Sequence, residues 1–340
     1  MTRTPQMGVL VIFDAPGSSR AISPEEEDVR AHVGSSGIPQ PAGSTEGTAL
    51  SSATHLRTRI IAAGGVVVLL LVAAIWTALA NTSAGAIPRS GRAYSTSRLD
   101  ELLAQLGYLP LTWTPSAGQK VPADKDAAGQ LAAAYDAPKG QFTWKSGYPA
   151  ELRRLWRDGT TDGLILQGAV MAFEQQHGLK VDGIAGPKVW DALLTAVAAH
   201  DVNKNGYAYA IATEADPETL TIWHDGQQAL QTDADTGIAA SPTTIGTSPV
   251  YLKHFYQDMK GTNPNGTPYS SPVYYISYFR GNLAVHWYPR ASYGFPQSLG
   301  CVELPWSAAK TAWQYLSYGN LVTVQPGSQT PSTSPVDPTT

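Results

Sequence analysis

Cys301 and His286 are the residues of this sequence best suited to covalent chemistry. Cys301 is the one cysteine in 340 residues, His286 is one of seven histidines, and fifteen positions separate them. A free thiol titrates near pH ~8.5 and is mostly protonated at neutral pH, so a thiolate nucleophile needs a base or a cation beside it. His286 closes a short apolar run, Leu283-Ala284-Val285, of strand type. Cys301 follows Gly300, whose bare backbone lets a substrate carbonyl approach. The segment between them is rich in Pro, Gly, Ser and Tyr, so the two side chains can meet across a bend. A lone cysteine is more often a small buried hydrophobe. Residue type alone favours that reading, and only the surrounding pattern shifts the balance.

Size and composition bound the rest. A chain of this length predicts two or three domains. Apolar residues make up 43%, enough for real cores, and 32 Gly with 25 Pro imply many turns. A net charge of -4 gives no reason to expect nucleic-acid binding. One cysteine allows neither an intramolecular disulfide nor a cysteine-rich zinc site, and the histidines show no metal-ligand spacing. No Gly-rich phosphate loop is present, and no cofactor is expected.

The chain reads in segments. Residues 1–56 are poor in aromatics and rich in Ser, Gly, Pro, Glu and Ala, and read as a disordered tail. Residues 60–80 are apolar except for Thr77. At 1.5 Å rise they make roughly 31 Å of helix, enough to cross a bilayer. Arg57 and Arg59 precede this span and no basic residue follows until Arg89, which places the N-terminus in the cytoplasm and the remainder outside. Residues 57–80 are therefore read as a single-pass anchor. Ala78-Leu79-Ala80 also resembles a signal-peptidase site, so cleavage near Ala80 with secretion stays open. Residues 81–95 read as a stalk and 326–340 as a disordered tail.

Residues 96–200 carry three amphipathic helices. Ser97-Arg98-Leu99-Asp100 resembles a capping box, Leu99, Leu102, Leu103 and Leu106 share a face, and Gly107 is a stop. A second helix covers 169–176, with Leu166, Val170 and Phe173 on one side. Pro187 opens a third, with Val189, Trp190, Leu193, Leu194 and Val197 inward. The run from Gly168 to Trp190, with Val170-x-x-Phe173, Gly178-Leu179, Asp182-Gly183-x-x-Gly186 and Trp190, resembles the peptidoglycan-binding domain family. That resemblance implies a small all-α bundle and a wall polymer as partner. An insertion near 111–160, with extra helices at 127–135 and 152–156, divides it.

From Tyr207 the period changes to that of strands. Residues 219–224 and 227–232 flank Asp225-Gly226, a two-residue hairpin signal. Residues 250–255, 273–279, 283–285 and 321–324 read as further strands, with one helix over 305–316. Many short strands with one helix predict a mainly β, β-sandwich-like domain over 207–325.

Here the pattern around Cys301 gains meaning. His286, then Ser298-x-Gly300-Cys301-Val302, resembles the YkuD-like L,D-transpeptidase catalytic domain, including its actinobacterial members. Ser241-Pro242-Thr243, the strand ending after Gly319, and a preceding wall-binding module add to the likeness. Residues 259–269 look like that family's mobile substrate-covering segment. The family usually has His where Leu299 stands, Arg where Glu303 stands, and Gly or Ser where Trp287 stands.

The resemblance implies a cysteine acyl-enzyme that forms 3–3 cross-links between peptidoglycan stems. Cys301 would be the nucleophile, His286 the proton carrier, and a backbone carbonyl beside His286 its orienter. Backbone N–H groups at Gly300 and Cys301 would meet the oxyanion. Ser298 either bonds within the site or shapes the turn. Tyr269, Tyr293 and Arg290 are candidate substrate contacts; Arg280, Lys253 and Lys260 fit surface solvation better. His177, His224 and His254 read as structural. Two other readings stay open: an L,D-carboxypeptidase, with water resolving the acyl-enzyme, and a non-catalytic wall-binding scaffold.

Overall fold

The computed structural model describes residues 92–160 and 163–327. The segments expected as a cytoplasmic tail (1–56) and an anchor (57–80), with most of the expected stalk and C-terminal tail, lie outside the described residues. No helix among the described residues is long and apolar enough to cross a membrane.

Helix α1 (Thr96–Gln105) opens the helical module. Its N-cap is Ser95, not Ser97. Ser95 is extended, and its side chain accepts a hydrogen bond from the Arg98 N–H, whereas Ser97 already lies inside the helix. Gly107, at φ 80°, ends the helix as its sequence suggests. Helix α4 (Leu164–Gln176) starts earlier than the pattern over 169–176 predicts, and α5 (Pro187–Ala199) opens on its proline. Together the helices bury Leu99, Leu102, Leu103, Val170, Phe173, Trp190 and Leu193.

The insertion corrects the all-α expectation. It holds β1 (Leu111–Pro115), α2 (Ala127–Ala133), β2 (Gly140–Trp144) and a single turn, α3 (Ala150–Arg153), in place of the helix expected over 152–156. Strands β1 and β2 pair antiparallel, Leu111 opposite Trp144. Trp113, Phe142, Trp144 and Trp156 pack their rings against the helical core. The insertion is thus an annex of the module, held by aromatic burial.

The C-terminal domain is two packed sheets around one helix. One sheet has the order β10-β9-β8-β7, formed by β7 (Leu252–Thr262), β8 (Pro268–Arg280), β9 (Leu283–Trp287) and β10 (Val302–Leu304). The other has the order β5-β4-β3-β11-β6, formed by β3 (Ala208–Glu214), β4 (Thr219–His224), β5 (Gln227–Asp233), β6 (Gly246–Pro249) and β11 (Leu321–Pro326). The β4–β5 turn has Asp225 and Gly226 at φ 47° and 78°, the left-handed pair that the Asp-Gly dipeptide favours. Helix α6 (Trp306–Tyr315) buries Ala308, Ala309 and Ala312 between the sheets, beside Leu220, Ile222, Phe279, Val285, Val302 and Leu304.

Strand β3 joins the two regions. Ala208, Ala210 and Ala212 face the inter-sheet core, while Tyr209 and Ile211 face the helical module. Leu321 of β11 joins them in the module's core. At Gly168 of α4 and Gly319 before β11 the two backbones approach so closely that a Cβ on either would strike the other's carbonyl oxygen.

Candidate active site

Strand alternation brings the chemistry to one face. Strands β9 and β10 run parallel, with Val302 opposite Val285 and Glu303 opposite His286. Val285, Trp287, Val302 and Leu304 point into the inter-sheet core. His286 and Glu303 therefore turn to the other face, together with Cys301 at the strand's entrance. There they line a pocket of about 550 Å³. The β7–β8 hairpin lines it with Gln257, Met259, Lys260 and Tyr269, and residues 259–269 form the end of that hairpin.

His286 is buried, 3% exposed, and its Nδ1 lies 2.9 Å from the Trp287 carbonyl. A carbonyl oxygen only accepts, so Nδ1 carries the proton and Nε2 keeps a free lone pair. Burial pushes the imidazole down to about 4, so it is neutral at physiological pH, and the nearby Arg290 charge adds to the shift. The Trp287 side chain lies on the opposite face, edge-on to Trp306 at 4.8 Å. A bulky residue at this position thus leaves the pocket untouched.

Cys301 is half-buried. Its thiol donates to the Asn282 carbonyl at 3.7 Å rather than to His286. Burial pushes the thiol up to about 12, with Glu303's negative charge adding and the Ala284 N–H opposing. The resting site is therefore a neutral thiol beside a neutral imidazole, not a thiolate–imidazolium pair.

The turn before Cys301 differs from expectation at one point. Gly300 has φ 111°, and a Cβ there would meet Leu283 at 3.0 Å, which explains the glycine. Its N–H, expected to face an oxyanion, instead donates to Ser298 Oγ at 3.0 Å. Ser298 Oγ in turn donates to the Cys301 carbonyl at 2.6 Å. Ser298 is fully buried, so it shapes the turn rather than lining the pocket. Among the described residues the Cys301 N–H has no acceptor. Leu299 lines the pocket, and its carbonyl accepts from Ser241 Oγ at 3.0 Å, which gives the Ser241-Pro242-Thr243 run a buttressing role.

Of the candidate substrate contacts, Tyr269 and Arg290 line the pocket. Tyr293 does not; its hydroxyl donates to the Tyr288 carbonyl at 2.7 Å and braces the loop. Arg290 Nε contacts Glu303 Oε2 at 2.6 Å, Nη2 donates to the Gln297 carbonyl at 2.9 Å, and the guanidinium lies 4.8 Å from the Tyr288 ring. Lys260 also lines the pocket. Lys253 and Arg280 are held elsewhere, on the Trp313 carbonyl and on Ser248 Oγ. Sequence reasoning missed Asn282, Tyr278 and Tyr288. Tyr278 was hidden because an irregularity in β8 near Tyr275 (φ 58°) reverses the alternation that starts at Tyr269, Ser271 and Val273, whereas Asn282 acts through a backbone carbonyl that carries no residue signal. No cluster of three or more His, Cys, Asp or Glu residues that could hold a metal occurs among the described residues.

Residues 208–324 match the family model of the YkuD L,D-transpeptidase catalytic domain. The chain carries an L,D-transpeptidase domain. Residues 154–193, covering α4 and the first half of α5, match the putative peptidoglycan-binding domain family. The catalytic domain of the E. faecium L,D-transpeptidase is 30% identical over 34% of this chain and 95% of that one, with a TM-score of 0.32. An L,D-transpeptidase from Mycobacterium smegmatis is 24% identical over 35% of this chain and 58% of that one, with a TM-score of 0.33. L,D-transpeptidase 3 from Mycobacterium tuberculosis, with a faropenem-derived adduct, is 24% identical over 35% and 60%, with a TM-score of 0.32. The chain thus spans little more than half the length of the mycobacterial structures. No curated protein matches the chain. Within the L,D-transpeptidase domain the pocket holding Cys301 and His286 is the site with reactive side chains. A second cavity of about 350 Å³ lies in the helical module, walled largely by Leu99, Leu166, Val170, Ile184 and Trp190.

Proposed function

We propose that this protein is a peptidoglycan L,D-transpeptidase that forms 3–3 cross-links through an acyl-enzyme on Cys301. The observation that carries this reading is the placement of Cys301 and His286 on one face of paired parallel strands, in one pocket of an L,D-transpeptidase domain. His286 Nε2 takes the thiol proton as Sγ attacks the carbonyl of the third, L-centred residue of a tetrapeptide donor stem. The proton then passes to the departing D-alanine amine. The Cys301 N–H meets the tetrahedral oxyanion, and such a donor is typically worth ~3 kcal/mol. The amine of a second stem resolves the thioester. The high thiol pKa and low imidazole pKa mean that the proton moves only with substrate bound, when the developing oxyanion stabilises the product of attack. The helical module would hold the wall polymer. Residues 57–80 would anchor the chain with this domain outside the cytoplasm.

Intact-mass measurement tests the chemistry. The full chain incubated with a tetrapeptide-stem donor or a carbapenem gains one adduct, and Cys301→Ala gains none. An unmodified native protein sinks the reading and leaves a wall-binding scaffold. Products formed with and without an acceptor amine separate a transpeptidase from a carboxypeptidase. Recovery of the chain in the soluble cytoplasmic fraction would overturn the anchored placement.

A further inference from the structure

Glu303 lies two residues beyond Cys301 and opposite His286 in the strand register. Two residues along a strand is about 6.6 Å, and alternation points both side chains into the same pocket. The carboxylate is 6% exposed, and Oε2 is held by Arg290 at 2.6 Å. Among the described residues Oε1 has no hydrogen-bond partner and is not sealed from solvent, so it is an open acceptor on the pocket wall. Its negative charge is felt at Cys301 and Tyr269, on two sides of the pocket.

A group bound at Oε1 would have to donate hydrogen bonds and tolerate a nearby anion. A ligand carboxylate has no donor to offer Oε1, whereas an ammonium supplies three; Arg290 balances much of the carboxylate's charge, so the selection lies in the hydrogen bond to Oε1. An amine of ordinary pKa, ~10.4, arrives at neutral pH as an ammonium. Two side chains on the same face and about 6.6 Å apart along the strand can address one bound group.

We propose that Glu303 binds the ammonium of the incoming acyl acceptor and sets it beside the thioester on Cys301, with Arg290 fixing the carboxylate's orientation. This rests on the transpeptidase reading above. The ammonium gives one proton to His286 Nε2, the amine attacks the thioester carbonyl, and the C–N bond forms as the C–S bond breaks. His286 returns its proton to the thiolate, and the remaining excess proton on nitrogen leaves to water. Glu303 therefore selects a cationic acceptor over water.

The test separates the two half-reactions in the full chain. The donor is a tetrapeptide stem. The acceptor is a stem peptide whose third residue has a free side-chain amine. Glu303→Gln is expected to raise the acceptor KM at least tenfold. Because the Glu303 carboxylate also raises the Cys301 thiol pKa, acylation is expected to quicken in the variant, so the readout is the ratio of amine transfer to water-resolved hydrolysis, which should fall at least tenfold at subsaturating acceptor. Equal loss of hydrolysis and amine transfer, or an unchanged acceptor KM, overturns the proposal. Because Glu303→Gln leaves Arg290 half-buried without its partner, the swap Arg290→Glu/Glu303→Arg is run alongside. It restores a pair with reversed polarity, so the acceptor KM must still rise; retention of native KM overturns the proposal. Failure of the native protein to acylate at all would instead overturn the transpeptidase reading.

Discussion

At Cys301 the protein environment works against the charged form of the nucleophile. Burial and the Glu303 carboxylate lift the thiol to about 12, and burial drops His286 to about 4. A preformed ion pair would need the reverse order, thiol below imidazole. The free protein is therefore expected to react with iodoacetamide slowly at pH 7, at a rate that climbs steadily through pH 9 with no plateau. A plateau reached near pH 5 would show a resting ion pair and sink this description. Glu303→Gln removes the anion beside the thiol and should make alkylation faster at every pH in that range. The same residue supplies two separable readouts, thiol reactivity here and acceptor affinity in transfer.

Elements set which side chains meet. Parallel pairing of β9 and β10 puts His286 and Glu303 side by side, and the Ser298 turn delivers Cys301 to the strand entrance. In the helical module, α1 carries a less comfortable group. Asp100 is fully buried, and Oδ2 accepts the Gly159 N–H at 3.1 Å while Oδ1 has no partner among the described residues. Burial pushes its pKa up to about 7, with Asp158 adding and the Gly159 bond opposing. A raised folded pKa gives stability that is complete below the unfolded value, near ~3.9, and is lost as pH rises to about 7. Asp100→Asn keeps the acceptor for Gly159 without the charge. At ~1.4 kcal/mol per pKa unit, it is expected to stabilise the protein at pH 8 by on the order of 2–4 kcal/mol. The gain should shrink toward pH 4. Denaturant unfolding at the two pH values checks this, and an equal effect at both would refute the titration argument.

For the molecule as a whole, the helical module and the L,D-transpeptidase domain share a core. Tyr209, Ile211 and Leu321 of the catalytic sheet are buried against module residues, each worth about 1.5–3 kcal/mol on transfer from water. The contact closes where Gly168 meets Gly319. Gly168 lies inside α4, where Ala is ordinarily the better residue by ~1 kcal/mol. Here the added Cβ would strike the Gly319 carbonyl. Gly168→Ala is therefore expected to destabilise by about 1–3 kcal/mol, seen as a lower Tm. A rise in Tm would mean that the two regions are not locked at this point. Such locking holds the module at a fixed distance and angle from the pocket.

The sequence by itself determined the nucleophile candidate, its base, the three module helices and the alternation of the sandwich. These signals are local: residue type, a 3.6 or 2.0 period, and Asp-Gly, Gly-Pro and Gly-Cys dipeptides. It also marked Leu299, Trp287 and Glu303 as unusual without showing what they do. Tertiary structure decided that, because the answers depend on which face a side chain takes and what lies across the strand. Trp287 turned into the core, Leu299 lined the pocket, and Glu303 met Arg290. The β1–β2 pair was illegible because its partners are about 25 residues apart with no hairpin turn to announce them. The Gly300 N–H went to Ser298, and the Tyr293 hydroxyl to the Tyr288 carbonyl, because hydrogen-bond partners are set by three-dimensional proximity. The double-sided role of β3 was equally hidden: an Ala-Tyr-Ala-Ile-Ala run states an alternation, and only packing shows that both of its faces are covered.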